Sequence, residues 1–290
     1  MSGGSGSEPA TEIRMVGVCG RRVRVGSRGG GDGGTPLLIF NGIGAPLELL
    51  EPLTAALGRI DTVVFDVPGV GGSPPPLLPY RFWQLANMAN RLMHELGHRG
   101  GIDVLGVSWG GALAQQFALQ YPARCRRLIL AATSPGMAMV PGKWSALRNL
   151  LGVRPGADGA LPGWDAAAVY GGDLRNDPGL LREHAGHIGP PRGRGYLFQL
   201  LACWGWTSLP WLPFLHQPTL VLAGAGDPIV PVVNSRLLHS WIRNASLHVI
   251  DDGHLFLLTR TAEAAGIIRS FLGDPAPGRA AGGQAPAARR

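Results

Sequence analysis

The sequence predicts an α/β fold, a mostly parallel, doubly wound sheet with helices on both faces and an inserted helical cap between strands six and seven. Three observations predict it. Apolar runs of strand length alternate with helical patterns, the mark of crossover-connected parallel strands. Those runs lack a polar alternate, as in strands covered on both faces. The alternation lapses over residues 134–217 and then resumes, so an insertion interrupts one core made of residues 11–133 and 218–273.

Residues 11–18 and 21–25 alternate polar and apolar side chains about Cys19-Gly20 and predict an antiparallel hairpin. The apolar run at 36–40 ends in Asn41-Gly42-Ile43-Gly44. A helix over 47–57, with Pro52 near its start, leads to a strand at 62–66 and the glycine-rich loop 68–73. A helical pattern spans 82–96. The run 102–107 is followed at once by Ser108 and the helical pattern of Ala112, Leu113, Phe117 and Ala118. A sixth strand is predicted at 127–132, a seventh at 218–224 and an eighth at 247–250, with helices at 233–241 and 261–272. The Gly/Ser-rich arm 1–10 and the Pro/Ala/Gly/Arg-rich tail 274–290 have the composition of disordered segments.

Composition narrows the classes. A chain of 290 residues with 45% hydrophobic content suffices for one large domain with an insertion. Cys19, Cys125 and Cys203 are odd in number and scattered, which fits reduced, mostly buried thiols and neither a disulfide framework nor a zinc site. The start of the chain has no apolar segment of secretory type, and no run reaches membrane-spanning length, so a cytoplasmic protein is expected. The net charge of +7 is almost wholly arginine, since Lys143 is the only lysine. No recognition helix or aromatic RNA motif accompanies that charge, which argues against nucleic acid.

Around Ser108 the order is strand, Gly106-Val107-Ser108-Trp109-Gly110, helix. Gly-x-Ser-x-Gly alone is weak in a chain with 45 glycines, but this context is that of a nucleophile elbow. Two further strand ends supply its partners. Strand seven leads into Asp227 and strand eight into His254, at the carboxyl ends where groups gather in open α/β sheets. Ser108, Asp227 and His254 thus stand in the order nucleophile, orienting acid, base. Asp251 and Asp252 shape the loop of His254, and strand six is followed by Thr133-Ser134-Pro135, with no competing carboxylate. The oxyanion hole is expected from the backbone N–H groups of Ile43 and Trp109. Such chemistry needs no metal or organic cofactor, and no phosphate-type glycine loop is present. Five of eight tryptophans (Trp144, Trp164, Trp204, Trp206 and Trp211) fall in the insertion. With Phe198 they form an apolar acyl pocket, of which Trp206, Trp211 and Phe198 are the candidate substrate contacts, or a face that docks on a hydrophobic surface, or simply the cap's own core.

The segments LLIFNGIGAPLELL, VVFDVPGVGGS, VLGVSWGGALAQQFA, LAATSPGMAMVPGK, CWGWTSLPWL and LHVIDDGHLFLLTR together resemble the intracellular depolymerases of medium-chain-length polyhydroxyalkanoate. The resemblance covers roughly residues 35–272 and departs in the arm, the tail and the middle of the cap, about 152–194. It implies an α/β-hydrolase fold and a serine esterase that releases 3-hydroxyacyl monomers or oligomers. Its partners would be the polyhydroxyalkanoate polymer and the granule surface. The family's nucleophile, acid and base fall on Ser108, Asp227 and His254. A serine at the elbow argues against the related polymer synthases. A general carboxylesterase, a carbon–carbon bond hydrolase of the same fold and a non-catalytic granule protein are the rival expectations.

Overall fold

The protein is described by a computed structural model over residues 10–31, 33–150, 169–176, 179 and 193–273. The expected tail, nearly all of the arm and most of the middle of the cap, Trp164 included, lie outside the described residues.

Eight strands form one sheet in the order β1-β2-β4-β3-β5-β6-β7-β8. The hairpin β1 (Glu12–Val18) and β2 (Arg21–Arg28) is antiparallel, and β2 joins β4 (Thr62–Phe65) antiparallel. Every other pairing, through β3 (Leu37–Phe40), β5 (Ile102–Val107), β6 (Cys125–Ala131), β7 (Thr219–Gly224) and β8 (Ala245–Ile250), is parallel. β3, β4, β5 and β7 are buried at every residue, as their unbroken apolar runs require. Strand alternation sorts their side chains to two cores. Leu38, Phe40 and Val104 pack with α2 (Phe82–Glu95), α3 (Trp109–Gln120) and Leu238 of α4 (Val232–Trp241). Leu37, Ile39 and Leu105 pack against α1 (Glu51–Ala56) and α5 (Thr261–Gly273).

Strand order reverses between β3 and β5, and Phe40 pairs with Gly106. The loop after β3 and the turn after β5 therefore open side by side at the switch point, where a crevice forms. Between β6 and β7 the described residues form short helices at Trp144–Leu150 and Asp173–Asn176, a longer one at Gly193–Cys203, and a 3₁₀ turn at Leu209–Phe214.

Two elements differ notably from expectation in extent. β2 runs on to Arg28 because residues 25–28 pair with β4, a contact the local pattern does not record. The helix expected over 47–57 divides into a 3₁₀ turn at Leu47–Leu50 and α1, whose second position is Pro52. Proline lacks an N–H, so it fits the first turn of a new helix better than the middle of a continuous one. Of the cysteines, Cys125 is buried and Cys203 half-buried, while Cys19 is exposed in the hairpin turn.

Candidate active site

The backbone bends hardest at Ser108, which has φ 54° and ψ −116°, a conformation that is strained for any residue with a side chain. Close packing behind it leaves no alternative. A Cβ on Gly106 would stand 2.3 Å from the Gly110 carbonyl oxygen, and one on Gly110 would stand 2.2 Å from that of Phe40. The turn is pinned from β6. The Ser108 N–H donates to Ala131 O at 2.8 Å, and the Thr133 hydroxyl donates to Ser108 O at 2.7 Å.

His254 reaches Ser108 although β8 lies three places from β5 in the sheet. Its loop crosses the end of β7 so closely that a Cβ on Gly224 would stand 2.2 Å from Gly253 O. The imidazole Nε2 lies 3.0 Å from Ser108 Oγ, and Nδ1 lies 2.6 Å from Asp227 Oδ2. The other Asp227 oxygen accepts the N–H groups of Ile229 and Val230, both at 2.8 Å. Asp227 and His254 are buried and Ser108 is half-exposed. A carboxylate locked by two amides can fix one imidazole tautomer, leaving Nε2 as acceptor toward the serine proton.

Beside the serine, the amides of Gly42 and Gly44 are taken and that of Ile43 between them is free. Asn41 folds this loop, its Oδ1 accepting the Gly42 N–H at 2.8 Å and its Nδ2 donating to Pro46 O at 2.8 Å. The Gly44 N–H donates to Gln199 Oε1 at 2.8 Å. Among the described residues the Ile43 N–H has no acceptor, and neither does that of Trp109 at the start of α3, where a helix leaves its first amides unpaired. A Cβ on Gly42 would lie 3.9 Å from that of Ser108, so the loop stands against the nucleophile. The structure therefore groups Ser108, Asp227, His254, the Ile43 loop and Trp109 at one sheet edge.

The three candidate substrate contacts are placed elsewhere. Phe198 is buried edge-to-face on Tyr80, 6.3 Å between centroids. Trp206 packs on Phe82 at 5.0 Å and donates its indole N–H to Gln116 Oε1. Both sit in the seam between insertion and core, whereas Trp211 lies on the outside beside Phe214. None of the three makes a ring contact or side-chain hydrogen bond to Ser108, Asp227 or His254 among the described residues.

Sequence reasoning passed over two residues of the insertion that do touch the site. The His254 N–H donates to Tyr170 O at 2.8 Å, and the Tyr170 ring stacks on the imidazole at 6.1 Å. Burial pushes the Tyr170 phenol up to about 12, so the ring facing His254 carries no charge near neutrality. Gln199 is the other, with no motif to signal it. Asp252 shapes the histidine loop as expected, accepting the N–H groups of Gly253 at 2.6 Å and Asp173 at 2.7 Å, while Asp251 is exposed. Among the described residues no cluster of three or more His, Cys, Asp or Glu is arranged to hold a metal ion, and no helix is long and apolar enough to cross a membrane.

A serine at a strained strand–helix turn, beneath a histidine–carboxylate pair and beside free amides, defines a hydrolase of the α/β class, and the chain belongs to the alpha/beta hydrolase fold family, whose pattern it matches over residues 35–261. Within that family it is 49% identical to a poly(3-hydroxyalkanoate) depolymerase of Ectopseudomonas oleovorans over 261 residues, 90% of this chain and 92% of that one. A 2-hydroxymuconate semialdehyde hydrolase of Pseudomonas putida is 30% identical over 257 residues, 83% of this chain and 88% of that one. Among solved structures, the enol-lactonase of Burkholderia xenovorans superimposes with a TM-score of 0.75 at 22% identity, over 90% of this chain and all of the other, a likeness of fold.

Proposed function

We propose that the chain is a serine hydrolase that cleaves the ester bonds of intracellular poly(3-hydroxyalkanoate) to 3-hydroxyacyl monomers or oligomers. The observation that carries this reading is the unbroken line from Asp227 through His254 to Ser108 Oγ, at 2.6 and 3.0 Å, beside the free Ile43 and Trp109 amides. The substrate class rests on the depolymerase relative, whose 49% identity exceeds the 30% of the carbon–carbon hydrolase.

In the mechanism, Ser108 Oγ adds to an ester carbonyl carbon while His254 Nε2 takes its proton. The Ile43 and Trp109 amides donate to the oxyanion. Collapse breaks the ester C–O bond. The departing alkoxide, the hydroxyl of the next polymer unit, takes the proton from His254 and leaves an acyl group on Ser108. Water then attacks with His254 as base, and Ser108 recovers its proton as the 3-hydroxy acid departs.

Residues 134–217 act as the cap. The helix Gly193–Cys203 supports a working place at the granule surface, in the cytoplasm. Its inward face buries Tyr196, Phe198 and Ala202, yet its outward stripe is Leu197, Leu201 and Trp204, 52%, 38% and 73% exposed. Arg194 and Arg81 bond this helix to the 77–81 loop, whose Leu77 and Leu78 extend the stripe. A helix apolar on both faces suits contact with a second apolar phase, and a polyester surface is one.

Product analysis after incubation with native granules tests the reading. Wild type is expected to release 3-hydroxy acids or their oligomers and to be labelled at Ser108 by a fluorophosphonate. Ser108→Ala is expected to lose roughly 10⁶-fold in turnover while still folding. Retained hydrolysis by that variant rules the assignment out, and release from a soluble ester but not from granules favours a general carboxylesterase.

A further inference from the structure

We infer that Gln199, a residue of the cap, is the positioning residue that sets the oxyanion hole, so that turnover depends on how the cap is seated. The inference rests on the serine-hydrolase reading above. Gln199 is 1% exposed and bonds to both arms of the hole. Its side-chain Oε1 accepts the Gly44 N–H at 2.8 Å, and its backbone carbonyl accepts the indole N–H of Trp109 at 2.9 Å.

The first bond acts on the conformation of the loop. Residues 42–45 form a turn closed by the Ala45 N–H to Gly42 O at 3.3 Å, with Gly44 at φ 68°, the arrangement of a type II turn. Type I and type II turns differ by a flip of their central peptide, here Ile43–Gly44. Gln199 Oε1 receives the N–H of that peptide and so selects one orientation. Without it the flipped form becomes accessible, and the Ile43 carbonyl exchanges sides with the Gly44 N–H. A carbonyl dipole then turns beside the free Ile43 amide, which opposes an oxyanion there. The second bond ties the side chain of Trp109, donor of the other amide, to the same residue of the cap. Asn41 performs the complementary task from the core, holding the Gly42 N–H and Pro46 O.

The test compares wild type, Gln199→Met and Gln199→Glu on p-nitrophenyl octanoate, with octylboronic acid as a tetrahedral mimic captured by Ser108. Gln199→Met keeps length and apolar volume and removes the acceptor. It is expected to lower kcat about 10- to 100-fold, below the full loss of an oxyanion donor, with KM within about twofold. Its affinity for the boronic acid should fall by a comparable factor, with the melting temperature nearly unchanged. Gln199→Glu retains an acceptor of the same reach and should recover at least about fivefold of the lost kcat. If Gln199→Met does not accumulate as folded protein, Trp109→Phe removes only the indole donor and is expected to lower kcat several-fold at constant KM. Unchanged kcat, a rise in KM alone, undiminished boronate affinity or identical Met and Glu variants would each overturn the inference. Because the ester is soluble, polymer binding does not enter. A wild type that is labelled at Ser108 beside an unimpaired Gln199→Met sinks this inference alone, whereas an unlabelled, inactive wild type sinks both.

Discussion

The sheet edge and the roof above it are built on different terms. At the edge every reacting group is held by directional bonds or by packed backbone. Ser108 is held at φ 54° between glycines that tolerate no Cβ, Asp227 by two amides, and His254 by Asp227 and by Tyr170 O. The roof is bonded to the edge at Gln199 and Tyr170 and to the rest of the core through Trp206, Ser208 and Arg194. Its outer surface carries a stripe of exposed leucine and tryptophan side chains. Bond cleavage requires donors and acceptors placed to a fraction of an ångström, whereas adhesion to a polyester requires only apolar area, which is non-directional. On the proposed function, the bonded edge would carry the chemistry and the exposed apolar stripe the attachment.

Three variants probe that division, beginning with the largest effect. Asp227→Asn keeps the shape of the carboxylate but loses control of the imidazole tautomer. It should lower kcat about 10⁴-fold on soluble ester and on polymer alike, with granule adsorption unaltered. A loss confined to polymer would break the comparison, as would a loss in adsorption. The combined change Leu197→Ser, Leu201→Ser and Trp204→Ser should do the reverse. Loss of about 3 kcal/mol of apolar contact corresponds to roughly 100-fold weaker adsorption to granules, measured by sedimentation, at near-normal turnover of p-nitrophenyl octanoate. If adsorption is retained, attachment lies elsewhere on the molecule. The smallest effect concerns the edge itself. Ser108→Gly relieves the strained backbone and should raise stability by about 1 kcal/mol, or roughly 2 °C in melting temperature, while abolishing hydrolysis. A destabilised glycine variant would mean that the turn carries no stored strain.

Much of the edge was legible along the chain because its constraints are local. A buried strand must be an apolar run, and a tight strand–helix turn must have glycine on either side of Ser108. A carboxylate and an imidazole just past two strand ends must come to the same rim of a parallel sheet. The insertion was not legible in this way. Helix Gly193–Cys203 is apolar all round, so its periodicity names no inward face. Phe198 and Trp206, read as substrate contacts, are taken up by the seam on Tyr80 and Phe82, and Trp211 faces out. Gln199 is one of many polar residues until its neighbours 155 positions away at Gly44 and 90 positions away at Trp109 are known.

By itself, then, the sequence determined the fold class, the order nucleophile–acid–base and the rim on which these residues meet, since each follows from backbone geometry within a few residues. Only the tertiary structure decided that the histidine loop crosses β7 to reach the serine, that the Ile43 amide stays free between the bonded amides of Gly42 and Gly44, and that Gln199 bonds to both Gly44 and Trp109. Those outcomes depend on which distant groups consume which hydrogen bonds, and pairing at a distance leaves no periodic trace along the chain.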